Sequence, residues 1–533
     1  MSTVSHQYNP PVFLITILAF FVTTGFAVSQ TFSPWTTDNQ HLRALSVSTD
    51  SIRLPLNLYS LDRLERDRIP DFEHEMRSSA LSVSSALPGG FDLFDLETHT
   101  SFNSKYPWGG NDTDWWQGVG INVATSFGGR YQWQYGSITV APLVTFIQNA
   151  HFDLVPAAAS FSSPFSYFVS RIDAPQRYGD DPLFDVWPGQ SEIRFDYRNA
   201  TIGFGTQSWW IGPTERNAII LSNNAGGFPK LDLGLRPAQT RIGTFEGAFF
   251  WGRASESDYF DDDSGNDERL IQGMTVSYAP VFLSGLTLGI HRTVLSYWNN
   301  ADLEDVLVLF NPNPANNDFG FDARDQRFSI TMSWKFPSVG FEAYAEWARN
   351  DYSGWQYWLL VPEHTHAFSI GFRKTWGHSP SAFWLLNMEV TELIESRDYE
   401  INGLGLNQSG FYNHSQVSQG YTHNGQILGA LAGTGADNQY LSLRRYTPWG
   451  YFGGFIERRS YNKDYIYGDI VDPDNDINRL NVELTTAVSA GLHIDAVRIE
   501  ASLAHMRRLN WNYIQDNDVS NFYAIVSTSL MLD

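Results

Sequence analysis

The tightest restriction on this chain is an alternation of polar and apolar side chains, repeated along most of its length. In Phe328-Ser329-Ile330-Thr331-Met332-Ser333-Trp334-Lys335-Phe336 every second residue is large and apolar. The same period of two runs through Leu480-Asn481-Val482-Glu483-Leu484 and Phe368-Ser369-Ile370-Gly371-Phe372-Arg373. Successive side chains of a strand point to opposite faces, so each segment is a strand with one face for lipid and one for water. At Asp495-Ala496 the phase changes. Val497, Ile499, Ala501 and Leu503 then alternate with Arg498, Glu500, Ser502 and Ala504, which predicts a tight hairpin. Arg198-Asn199-Ala200 and Phe336-Pro337-Ser338-Val339-Gly340 separate further strand pairs. Between these tight turns lie long polar segments, 299–324, 397–422 and 461–479. Short turns at one end and long loops at the other are the asymmetry of an outer-membrane barrel. A propeller would also alternate, but the chain has no repeat of blade length.

Composition agrees with a barrel. Charged residues make up 17% of the 533-residue chain and aromatics 15%, against roughly 25% charged in an ordinary soluble domain. There is no cysteine, which excludes disulfides and thiolate metal sites. The formal net charge of −23 argues against a nucleic-acid partner, because phosphate binding needs clustered Lys and Arg. Acid blocks at Asp261-Asp262-Asp263 and Asp472-Pro473-Asp474-Asn475-Asp476 read as solvated loops. A divalent-cation site is the alternative for them, although neither has EF-hand spacing.

Near the N-terminus, Val12 to Ala27 is an apolar stretch of signal-peptide length, and Ala27-Val28-Ser29 is a small-x-small cleavage site. Residues 1–29 are therefore read as a signal peptide. No later segment has the roughly 20 apolar residues of a spanning helix, so an exported chain of this kind crosses a membrane with strands. Residues 30–90 differ from the remainder of the chain: aromatics are few, and Leu54, Leu58 and Leu61 fall on one face at helical spacing. Pro55 and Pro70 limit that helix to about three turns. The expected organisation is a small, partly helical region over 30–90 and a barrel over 91–533. Alternating segments from 119 to 532 count to about 16–18 strands at roughly 9–11 residues per crossing. A barrel of that size leaves a water-filled lumen unless something plugs it. Asn521 to Leu532 alternates and is placed to close the barrel on its first strand.

Three stretches, taken together, resemble the Wzi family of capsule assembly proteins. One is Trp209-Trp210-Ile211-Gly212-Pro213, followed by Leu221-Ser222-Asn223-Asn224-Ala225 and Phe228-Pro229. Another is Gly420-Tyr421-Thr422-His423-Asn424-Gly425-Gln426, with Leu428-Gly429, Gly433 and Tyr440-Leu441-Ser442-Leu443 after it. The third is Pro34-Trp35 with Leu42-Arg43, Ile52 and Pro55-Leu56. The resemblance implies an outer-membrane barrel of about 18 strands with a small helical part on the periplasmic side. It also implies a non-enzymatic lectin that holds capsular or related extracellular polysaccharide at the cell surface.

The candidate polysaccharide contacts are Trp209, Trp210, Asn223, Asn224, Tyr421, His423 and Asn424. An indole face packs on a pyranose while amides bond its hydroxyls. Each also has a structural reading. The tryptophans suit an aromatic girdle or turn anchor, with one facing the lumen. Asn223 and Asn224 suit a turn beside Gly226-Gly227, and Tyr421 to Asn424 suit an internal plug. His364 and His366, with Glu363, share a strand face but have no third ligand at a defined spacing. Glu342/Glu346 and Asp398/Glu400 offer carboxylate pairs of the kind glycosidases use, yet such pairs arise by chance among 58 acids. No P-loop, G-x-S-x-G or H-E-x-x-H is present. The expectation is therefore a surface lectin with no cofactor, no metal and no catalytic residues, in contact with polysaccharide and outer-membrane lipid. A porin-type channel for oligosaccharides or small solutes is the alternative.

Overall fold

A computed structural model of the chain describes residues 37–49, 54–66, 90–300, 307–310, 323–350, 360, 365–379, 381–395, 410–469, 476–494 and 496–530. The signal segment 1–29, Pro34-Trp35, Ile52, His364, Asp398/Glu400 and the acid block at 472–475 lie outside the described residues.

Eighteen antiparallel crossings close into a barrel. They are β1 (Phe91–Asn103), β2 (Gly120–Trp133), β3 (Gly136–Val140 with Leu143–Ile147), β4 (Leu183–Trp187 with Glu192–Tyr197), β5 (Ala200–Gly205) and β6 (Lys230–Gln239). Next come β7 (Gly243–Ser255), β8 (Glu268–Pro280), β9 (Leu286–Tyr297), β10 (Arg324–Phe336), β11 (Phe341–Asn350) and β12 (His366–Ser379). The last six are β13 (Ala382–Glu392), β14 (Asp437–Thr447), β15 (Gly450–Ser460), β16 (Val482–Ile494), β17 (Val497–Leu509) and β18 (Val519–Leu530). Both halves of β3 pair with β2 on either side of Pro142, which has no N–H to give the ladder. The ring closes where Leu96 to Asn103 of β1 pair with Leu530 to Tyr523 of β18. Closure leaves no sheet edge, the condition for a strand structure in lipid. Tight turns such as Arg198-Asn199, where Arg198 is left-handed at φ 57°, gather at one end. The long connections gather at the other.

The alternation seen in the sequence sorts side chains between outside and inside. On β10, Ile330 and Met332 face outward and are exposed, forming part of the apolar band that meets hydrocarbon. Ser329, Thr331 and Ser333 face inward, but they are buried. The sequence reading put this face in water. It lies instead against protein, because three segments fill the lumen.

The first is N-terminal. Helix α1 (Thr37–Leu45) packs Leu42, Ala44 and Leu45 on Phe383, Leu385, Tyr446 and Tyr451 of the barrel wall. Leu58-Tyr59 then pairs antiparallel with Trp210-Ile211, and helix α2 (Leu61–Arg66) follows. Leu54, Leu58 and Leu61 therefore do not share one helix, as their spacing predicted. The backbone at Leu58 is taken by a strand partner that lies far away in sequence. Arg63 anchors this segment to Glu246 of β7 at 2.9 Å, and Asp62 pairs with Arg236 at 2.7 Å.

The second segment is the 206–229 connection between β5 and β6, which turns inward. Glu389 of β13 accepts the backbone N–H groups of Glu215, Arg216 and Asn217 at 2.6, 3.1 and 2.9 Å. Glu346 of β11 accepts that of Ile219 at 2.9 Å. The third is 410–436, between β13 and β14. Its Tyr412 and Tyr421 hydroxyls donate to the carbonyls of Ile219 and Ile220 at 2.9 and 2.8 Å. Helix α3 (Lys463–Asp469) lies in the connection after β15.

Gly226 and Gly227, which the sequence placed in a turn, are glycines for a different reason. Neither they nor Asn223 and Asn224 have positive φ. A Cβ at Gly227 would overlap the Thr206 carbonyl oxygen, and one at Gly226 the Asp114 carboxylate. Gly227→Ala is expected to lower the temperature at which the purified protein loses its compact band on an unheated gel. The cost is that of overpacking, roughly 1–3 kcal/mol. Gly265→Ala, in an exposed loop, is expected to leave that temperature unchanged.

Candidate functional site

The seven residues singled out in the sequence lie on two of the three inward segments, 206–229 and 410–436. Trp209 lies edge-on to Phe250 of β7 at 5.4 Å, with the Lys230 ammonium 5.2 Å over its ring. Trp210 sits in a separate cluster with Tyr59, Leu64 and Ala218. The two rings lie in different clusters, and neither meets lipid, because both are buried inside the barrel and not part of its wall. Asn223 is fully buried, and its carbonyl accepts the Thr113 N–H at 2.8 Å. Asn224 is half-buried and donates from its amide to the Ile427 carbonyl at 2.8 Å. Tyr421, at 0% exposure, accepts from the Thr293 hydroxyl of β9 at 3.0 Å, and Arg327 lies 4.3 Å over its ring.

His423 and Asn424 belong to a small hairpin. Thr422 pairs with Ile427 and His423 with Gln426, across Asn424-Gly425. Both turn residues are left-handed, at φ 49° and 75°. Asn-Gly is the preferred pair for such a two-residue turn, because both positions need positive φ. The His423 imidazole accepts the backbone N–H of Ser255 through Nδ1 at 3.0 Å. Accepting there requires a neutral ring. Burial, with help from the Arg269 and Lys230 cations, pushes its pKa down to about 3. The unfolded ring takes up a proton near pH 6.5 and the folded one only far lower, so the unfolded state binds more protons between those values. This contribution to stability is whole above pH 6.5 and is lost as pH falls toward 3. His423→Gln, which keeps an acceptor and cannot titrate, is expected to flatten the loss of thermal midpoint between pH 6.5 and 4. A parallel decline in variant and wild type would refute the assignment.

Next to this junction, the 103–120 connection folds inward at the long-loop end. Asn111 donates to the Arg216 carbonyl at 3.0 Å, which ties this connection to the 206–229 segment. Between them and the β15–β18 wall lies a polar cavity of about 180 Å³. Trp108, Asp112, Arg216, Arg459, Glu457 and Glu483 line it. Glu483 accepts from Tyr106 and Trp108 at 2.8 and 3.1 Å, and Glu457 from Arg216 and Asn438 at 2.8 and 2.6 Å. Asp112 is pushed up to about 6 by burial, against the pull of the Gly110 N–H, Gln117 and Arg216. None of these residues was among the sequence candidates. The signal was there, in Trp108-Gly109-Gly110-Asn111-Asp112-Thr113-Asp114-Trp115-Trp116: indoles, amide and acids in one inter-strand connection.

The carboxylate pair Glu342/Glu346 is committed to structure. Glu342 pairs with Arg373 at 3.0 Å and accepts from Ser333 at 2.6 Å, while Glu346 holds the Ile219 N–H. Among the described residues no group of three or more His, Asp or Glu is placed to hold a metal ion.

The family model for capsule assembly protein Wzi matches residues 102–493. No curated protein matches the sequence. Among solved structures the chain is similar to Wzi of Escherichia coli, described as an outer membrane protein involved in group 1 capsule assembly and a carbohydrate-binding β-barrel. The TM-score is 0.60 at 12% identity, over 95% of this chain and 99% of that one. OccAB2 of Acinetobacter baumannii aligns with a TM-score of 0.41 at 10% identity, over 84% of this chain and 100% of that one. OprD of Pseudomonas aeruginosa aligns with 0.39 at 10% identity, over 83% and 93%.

Proposed function

The chain belongs to the capsule assembly protein Wzi family, and from that membership and the filled barrel we propose that it is an outer-membrane lectin that anchors capsular or related extracellular polysaccharide. The leader 1–29 exports the chain, residues 30–90 enter from the periplasmic side with the tight turns, and the barrel over 91–533 presents its long connections to the outside. The apolar outer band contacts membrane lipid, and no bond is made or broken in the polymer. The observation that carries this reading is the lumen. It is occupied by 37–49, 54–66, 206–229 and 410–436, so the barrel supports a surface better than it passes a solute.

In this reading Trp209, Trp210, Asn223, Tyr421 and His423 act from beneath. Their burial supports a role in holding the long connections in place, while Asn224 and Asn424, half-buried, lie nearer the polymer. A repeating polymer engages several weak contacts on the long connections at once, and effective concentration makes the sum strong.

Deleting the gene is expected to release surface polysaccharide into the medium while its synthesis continues. Unchanged cell-bound polymer in the deletion strain would refute the anchoring role. Purified protein in a planar bilayer is expected to show no large, steady conductance. A steady open channel would favour the porin alternative.

A further inference from the structure

The cavity between the 103–120 connection and the β15–β18 wall has a chemistry that wall packing does not require. Its volume, about 180 Å³, is well short of the roughly 300–1,000 Å³ of a pocket for a drug-sized ligand. It suits one ring, not a chain of rings. Its lining carries donors and acceptors in near balance: the guanidiniums of Arg216 and Arg459 against the carboxylates of Asp112, Glu457 and Glu483. Arg216 binds Glu457 through Nη2, and its plane covers Tyr440 at 4.9 Å. A sugar hydroxyl both donates and accepts, so it can use a guanidinium and a carboxylate together. Trp108, packed on Tyr523 at 4.7 Å, adds an apolar surface to the same lining. Three acids against two cations disfavour an anionic ligand.

We propose that this cavity is a subsite for one uncharged pyranose unit of the polymer, a proposal that rests on the polysaccharide-binding reading. The unit enters at the long-loop end, where Trp108, Asp112, Arg216 and Arg459 are half-buried. Glu457 and Glu483, buried in the wall, receive its hydroxyls.

The test uses full-length protein in detergent and oligosaccharides cut from the producing strain's own extracellular polysaccharide, read by saturation-transfer NMR. Two variants probe the cavity. Asp112→Asn changes one acceptor at constant shape. Ser502→Leu, on β17, fills the space without removing a hydrogen bond. Lys374→Gln, half-buried at the tight-turn end, is the control. In wild type and control, saturation is expected to centre on one uncharged ring of the repeat. It is expected to fall at least five-fold in both cavity variants. If Ser502→Leu loses its compact gel band, Asp112→Asn alone decides. Equal saturation in wild type and cavity variants, the result for a cavity that holds water only, overturns the subsite and leaves the lectin reading standing. Saturation centred on a charged unit also overturns it. Wild-type protein that binds neither the oligosaccharides nor the parent polymer overturns the lectin reading, and the subsite with it.

Discussion

Two inward carboxylates, Glu346 and Glu389, hold the inner structure to the wall. An 18-strand barrel encloses more space than its own side chains fill, and any chain that enters must satisfy its backbone N–H groups without a ladder. At Glu215 to Asn217 three consecutive N–H groups converge on Glu389, and Glu346 takes that of Ile219. A carboxyl group has lone pairs enough to accept several N–H groups at once. These bonds replace the strand partner that Gly212, at φ 106°, and Pro213 have already ruled out. The apolar run from Ile219 to Leu221 is thereby set against Phe411, Tyr412 and Tyr421, in the largest buried cluster among the described residues.

The consequence reaches the long-loop end. The 410–436 and 103–120 connections are both bonded to the 206–229 segment, through Tyr412, Tyr421 and Leu428 in one case and Asn111 and Thr113 in the other. Loops that rest on a filled interior lose less freedom when they bind than loops hung over an open pore. A barrel built this way suits a surface for many weak contacts, and the polar cavity lies where the loops, the plug and the wall meet.

Much of the wall was legible in the sequence because strand periodicity is local. Alternation on Phe328 to Phe336 and the phase change near Asp495 need only neighbouring residues to be read, and both correspond to observed strands and hairpins. The inner segments were not legible in the same way. Leu54, Leu58 and Leu61 have helical spacing, but a distant partner claimed Leu58 for a strand. Trp209 and Trp210 resemble a girdle or a sugar platform until it is known that both are enclosed. Asn424-Gly425 was readable as a two-residue hairpin, since that pair carries its own backbone preference.

What the sequence determined by itself was the class of solution. Period-two alternation with no apolar helix leaves a closed barrel as the way to satisfy every backbone group in lipid. What only the tertiary structure decided was the fate of the inward face and of the residues aimed at it. Whether Ser329, Thr331 and Ser333 meet water or protein depends on segments far away along the chain, and no local pattern encodes those meetings. The same holds for Trp108, Asp112, Arg216 and Glu483, which come from separate parts of the inner surface and become one polar cavity only when the barrel closes around its plug.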